Sequence, residues 1–168
     1  YTTPKPGLVD REDTGAHTDM NCQIFQKSTE AIVEDLAAMF AAGYSWEASP
    51  EKLFPILRER GKKTEEKMFA ATGGVNTHKG IIFTIGILAA AAGISLRNYG
   101  KIESESVCRI SLEMTKKELE QDLRKLKQSS GITHGEKIYC HLGEKGVRGL
   151  AMTGYPILCE LTVPHMKQ

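Results

Sequence analysis

The sequence predicts an all-α fold, a multi-helix bundle around a central apolar helix at about residues 76–93. Three observations carry this. Apolar residues recur at helical spacing from Met20 to Phe40 and again from Ile102 to Leu126. The stretch Ile81–Ala92 is apolar almost all round, interrupted by Thr84 and Gly86, which suits a buried helix. No segment shows the apolar–polar alternation of a half-buried strand.

The elements follow in order. Residues 1–18 hold Pro4, Pro6, Gly7 and Gly15, which forbid regular helix, so a long loop is expected. From Asp19 an amphipathic helix begins, with Met20, Ile24, Ile32, Leu36 and Met39 on its apolar face and Gly43 closing it. Ser49-Pro50 opens the next helix with proline at the first helical position. Pro55 should kink or split it, and Gly61 marks a further break. Thr64–Ala71 then reads as a helix running into Thr72-Gly73-Gly74. Asn76 or Thr77 caps the central helix, which ends at Gly93. Beyond Gly100 a long amphipathic helix carries Val107, Ile110, Met114, Leu119 and Leu123, its charged residues forming a solvated face. Thr133-His134-Gly135-Glu136 is a capping box that opens a short helix to about Leu142. Glycines at 143, 146, 149 and 154 then punctuate the chain up to Pro156.

The 168 residues suit a single domain. Hydrophobic residues at 40% and charged residues at 26% place the chain away from disorder. A net charge of +1 excludes a global basic field, so no nucleic-acid partner is expected, and any anion must be held by a local site. The chain opens with no charged segment leading into an apolar run, so no signal peptide is expected. The longest apolar run is too short to span a bilayer, and no membrane partner is expected. Cys22, Cys108, Cys140 and Cys159 form no CxxC pair and read as four free structural thiols in a reducing compartment.

Three stretches carry chemistry. Ala71–Gly80 sets a Gly73-Gly74 turn at a helix start, with Asn76, Thr77, His78 and Lys79 in or beside the first turn. Unpaired N–H groups and the positive end of the helix dipole favour an anion there, and Lys79 adds a full charge. The spacing is not that of a Walker A loop. Equally, Gly-Gly serves as a helix cap and His78 as a buried polar contact. Asp10, Arg11, Asp13, His17 and Asp19 form a second cluster, fit for Mg²⁺ or general-base work, though turns and a cap at Asp19 explain them too. In the third, Glu136 has a capping task, His134 has none evident, and Arg148 between Gly146 and Gly149 has the reach to bind a phosphate or to sit in solvent.

Taken in order, Pro4-Lys5-Pro6-Gly7-Leu8-Val9-Asp10-Arg11, Gly15-Ala16-His17-Thr18-Asp19-Met20, Ala71–Gly80, Thr133–Glu136 and Gly146-Val147-Arg148-Gly149 resemble the triphosphoribosyl-dephospho-CoA synthase family. The resemblance implies an all-helical, cytoplasmic transferase that moves the triphosphoribosyl group of ATP onto the 2′-hydroxyl of 3′-dephospho-CoA and releases adenine. The product is the precursor of the citrate lyase prosthetic group and passes to an acyl-carrier-protein prosthetic-group transferase; a relative serves malonate decarboxylase. Family members are longer and carry a later Asp-Thr-Asn motif, so the chain reads as the larger N-terminal part of such an enzyme. Where many relatives have an Asn before Gly-Ala-His, this chain has Arg11-Glu12-Asp13-Thr14.

The resemblance assigns roles to the stretches above. Asp10, His17, Asp19 and His78 become catalytic candidates, and Asp10 and Asp19 bind Mg²⁺ or face C1′. Lys5, Gly73, Gly74, Asn76, Thr77, Lys79, His134, Glu136 and Arg148 become the ATP-binding set. A nucleotide-binding fragment without catalysis stands as the alternative.

Overall fold

The computed structural model describes residues 3–126 and 134–166, and these residues are all-α, with no strand among them. α1 spans Cys22–Tyr44. A 3₁₀ turn, Pro50–Lys52, leads into α2, Phe54–Thr72. α3 is Lys79–Tyr99, α4 is Ser104–Leu126, α5 is His134–Leu142 and α6 is Gly146–Met152. A π-helical turn, Ile157–Thr162, precedes the short α7, Val163–Met166.

α3 is the axis of the bundle. α1, α2 and α4 all pack on it, and α6 reaches it at one side. The main core gathers Met39 from α1, Phe54 and Leu57 from α2, Ile87, Ala90 and Ile94 from α3, Ile110, Met114 and Leu119 from α4 and Ala151 from α6. A smaller cluster of Ile32, Met68 and Ile82 ties α1, α2 and α3 together at the other end of α3.

Several boundaries differ from those read in the sequence. Asn21, not Asp19, caps α1: its Oδ1 accepts the Ile24 N–H at 3.0 Å. α1 ends one residue past Gly43, with Ser45 rather than Gly43 as its cap, and Gly93 does not end α3. Both are buried where the two helices cross. A Cβ on Gly43 would stand 2.0 Å from the Ala90 carbonyl oxygen, and one on Gly93 would stand 2.3 Å from that of Phe40. Glycine is therefore used here for close backbone approach rather than for its turn conformation. α3 accordingly runs past the expected limit to Tyr99. At 21 residues it is long and apolar enough to cross a membrane, yet its buried residues face the three packed helices, as in a core helix.

α2 also runs straight through Gly61, where a break was expected. Gly61 faces open space and meets no steric demand, and a single glycine costs a helix only about 1 kcal/mol. Pro55 does split the segment, since it sits in the first turn of α2 after the 3₁₀ turn. α4 and α5 match the expected helices; Thr133, the expected cap of α5, lies outside the described residues. Two of the four cysteines are not free: Cys108 on α4 and Cys159 in the π-helical turn form a disulfide that pins the C-terminal segment to the core. Cys22 and Cys140 remain thiols. With two of the four cysteines in a disulfide, cysteine usage does not point to a reducing compartment.

Candidate functional site: a cleft between α2, α3, α4, α5 and α6

Gly73 and Gly74 both adopt left-handed backbone, at φ 66° and 92°, and both donate their N–H to the Phe69 carbonyl. They are thus the C-cap of α2, a Schellman-type end. Val75 to His78 then carries the chain to α3. Thr72 fastens this turn, its hydroxyl donating to the Val75 carbonyl at 2.7 Å.

At the start of α3 two neighbouring residues turn opposite ways. His78 is buried against α1. Its Nδ1 lies 2.6 Å from Ser28 Oγ, and its ring meets Phe25 edge-on at 4.9 Å between centroids. Thr77 donates to the same Ser28 oxygen at 2.6 Å. With Ser28 accepting from Thr77, its own proton goes to His78 Nδ1, which assigns the Nε2–H tautomer to the imidazole. Burial lowers the His78 pKa, so the ring is held neutral.

Lys79 faces outward into a cleft of about 940 Å³. Asn76 lies beside it, and its Oδ1 accepts the Lys79 N–H at 3.3 Å. The floor is apolar: Phe54, Leu57, Phe69, Ile82, Phe83, Ile87 and Leu119 line it. The rim is ionic. Lys79 Nζ stands 3.0 Å from Glu65 on α2, and Arg148 on α6 stands 3.0 Å from Glu136 on α5. Arg58 is held by Asp122 through contacts of 2.7 and 3.3 Å and lies over the Phe54 ring. Lys62, Lys125 and Lys145 add three more cations to the lining, and Glu144 one more carboxylate. Six cations thus face four carboxylates around an apolar floor. That balance suits a large anionic ligand with an apolar part, and the volume lies at the upper end of small-molecule sites.

Of the residues read from the sequence, Asn76, Lys79, Glu136 and Arg148 meet at this cleft although up to 72 positions separate them in the chain. Gly73, Gly74, Thr77 and His78 stand next to it in sequence but are not among the residues that line it. The His134 side chain lies outside what the structure describes.

The N-terminal loop is organised on its own account, and Lys5, Asp10, His17 and Asp19 do not line the cleft. Asp10 is buried, and its carboxylate accepts the backbone N–H groups of Glu12, Asp13 and Lys5, each at 2.8 Å. Those hydrogen bonds, led by Glu12, lower its pKa. His17 and Asp19 form an exposed pair at 3.7 Å. The described residues hold no group of three or more His, Cys, Asp or Glu side chains placed to share a metal ion.

Glu65, Arg58, Lys62 and Asp122 were not anticipated. A signal was present: Arg58, Gly61, Lys62, Glu65 and Phe69 follow helical spacing along one face of α2. The break expected at Gly61 hid that stripe by cutting it in two.

A helical bundle with an ion-paired, half-apolar cleft defines the class of protein. The chain belongs to the CitG family of ATP:dephospho-CoA triphosphoribosyl transferases, whose model matches residues 1–168. It is similar to probable 2-(5''-triphosphoribosyl)-3'-dephosphocoenzyme-A synthases of Streptococcus pyogenes serotypes M49, M3 and M1, at 36% identity over 177 residues. Those matches cover 99% of this chain and 60% of each relative, so the chain spans about three fifths of their length. No solved structure matches it.

Proposed function

We propose that the chain carries the nucleotide site of an enzyme that transfers the 5-triphosphoribosyl group of ATP to the 2′-hydroxyl of 3′-dephospho-CoA and releases adenine. The observation that carries this reading is the cleft, where Lys79 and Asn76 from one wall and Arg148 and Glu136 from another converge over an apolar floor. Family membership supports the same reaction class.

In this reading the triphosphate takes Lys79 and Arg148, each of which exchanges a carboxylate partner for phosphate oxygens. The first turn of α3 adds unpaired N–H groups and the positive end of its dipole. Phe69, Phe83 and the rest of the floor accept adenine or the apolar part of the second substrate. Attack at C1′ passes through an oxocarbenium-like transition state, so a base for the 2′-hydroxyl and nearby negative charge are needed. Neutral His78, with its Nε2 proton, suits hydrogen-bond donation better than proton uptake. Asp10 keeps residues 5–13 of the N-terminal loop in shape, and Lys5, His17 and Asp19 stand along the N-terminal loop as candidates for the second substrate. Mg²⁺ fits as the counter-ion of the ATP phosphates, which need only one or two protein carboxylates besides water.

The product fits a precursor of the citrate lyase prosthetic group, handed on to an acyl-carrier-protein prosthetic-group transferase, with the malonate decarboxylase counterpart as the alternative pathway. Membership of a biosynthetic enzyme family supports a cytoplasmic place. The test is chromatography of adenine formed from ATP and Mg²⁺, with and without 3′-dephospho-CoA. Release that requires dephospho-CoA is expected. ATP binding without release would point instead to a nucleotide-binding unit.

A further inference from the structure

The cleft holds four carboxylates, which differ in partner, exposure and surroundings. Asp122 is held by two contacts from Arg58. Glu136 is the more buried partner of Arg148. Glu144 is exposed at the rim. Glu65, paired to Lys79 and 23% exposed, differs from Glu136, whose Arg148 a phosphate chain would also take, in sharing its helix face with an aromatic ring of the floor. Phe69, one turn further along the same face of α2, lines the same cleft. A nucleotide with its phosphates on Lys79 and its base over Phe69 would therefore set its ribose beside Glu65.

We propose that Glu65 is the general base of the transfer and that triphosphate binding frees it for that work. The inference rests on the transferase reading above. Without nucleotide, Lys79 neutralises Glu65. When phosphate oxygens take Lys79, Glu65 loses its counter-ion and stands beside a polyanion, and like charge of that kind makes a carboxylate a better proton acceptor. The 2′-hydroxyl oxygen of dephospho-CoA then bonds to C1′ as the C1′–N9 bond breaks. The electron pair leaves with adenine N9, the hydroxyl proton goes to Glu65, and water carries that proton on to the departing adenine. Binding the donor substrate and activating the acceptor thus share one ion pair. In the substrate-free protein the base is held paired to Lys79.

The experiment compares wild type, Glu65→Gln and Glu65→Asp by ATP titration calorimetry and by adenine release with dephospho-CoA. Glu65→Gln is expected to bind ATP as tightly as wild type or up to about tenfold tighter, because a competitor for Lys79 is gone. Its adenine release should fall roughly 100-fold or more, the usual contribution of a positioned base. Glu65→Asp should recover part of it. Release by Glu65→Gln within threefold of wild type overturns the proposal, as does a parallel loss of binding and release, which would mark Glu65 as a wall residue. A wild-type protein that binds ATP yet releases no adenine overturns the transferase reading itself, and this inference with it.

Discussion

His78 and Lys79 are adjacent in the chain and belong to two different kinds of polar structure. His78 and Ser28, both buried, and half-buried Thr77 form a knot in the seam between α1 and α3, joined by short hydrogen bonds. Lys79 and Glu65 form a half-exposed ion pair at the mouth of the cleft. A buried polar group left unpaired costs about 1–3 kcal/mol, so the knot is expensive to open and holds the fold together. An exposed ion pair is worth about 0–1 kcal/mol, so the rim pairs are cheap to exchange for a ligand. The seam supplies rigidity, and the cleft supplies groups that can change partners.

The seam should be the more fragile under mutation. Gly43→Ala forces a Cβ into the Ala90 carbonyl, and backbone on both sides leaves little to relax. A loss of about 3 kcal/mol or more in urea denaturation is expected. A loss under about 1 kcal/mol would show that the helices slide apart easily. Ser28→Ala strands His78 Nδ1 and the Thr77 hydroxyl and should cost about 1–3 kcal/mol, with ATP affinity changed less than twofold. If ATP binding fell with it, the seam and the cleft would be one unit.

Acid sharpens the same contrast. Because the folded pKa of His78 is lowered from 6.5, the unfolded chain binds that proton more readily. The stability due to the neutral ring is therefore complete above about pH 6.5 and is lost as pH falls toward the folded value. Denaturation midpoints measured from pH 7.5 down to 5 should decline in wild type and stay flatter in His78→Gln. The smallest structural effect is expected in the cleft. Lys79→Met should change stability by no more than about 0.5 kcal/mol. The same change should weaken ATP binding about tenfold or more, through loss of a charge-assisted contact. Unchanged affinity in titration calorimetry would remove Lys79 from the nucleotide site.

Periodicity alone was enough to reveal α1, α4 and the central role of α3, because each apolar face is continuous. Glycine misled it at three places. Gly43 and Gly93 look like helix ends in sequence but are contact points between helices, and Gly61 is simply a weak residue inside a stable helix. The site was legible in part. Asn76, Lys79 and Arg148 were recognisable as anion-binding types, and Glu136 as a capping residue at a helix start. The N-terminal carboxylates carried the same outward signs, yet Asp10 is occupied with its own loop.

The sequence by itself determined the helical class, the apolar axis and the family, since these depend on local spacing and on motifs read along the chain. Only the tertiary structure decided that Glu65 meets Lys79, that Arg148 meets Glu136, and that His78 turns inward while Lys79 turns out. Those choices depend on how the helices cross, which is set by backbone approach at Gly43 and Gly93 and by burial at α3. A residue's type states what it can bind, but the packing around it determines what it is left free to bind.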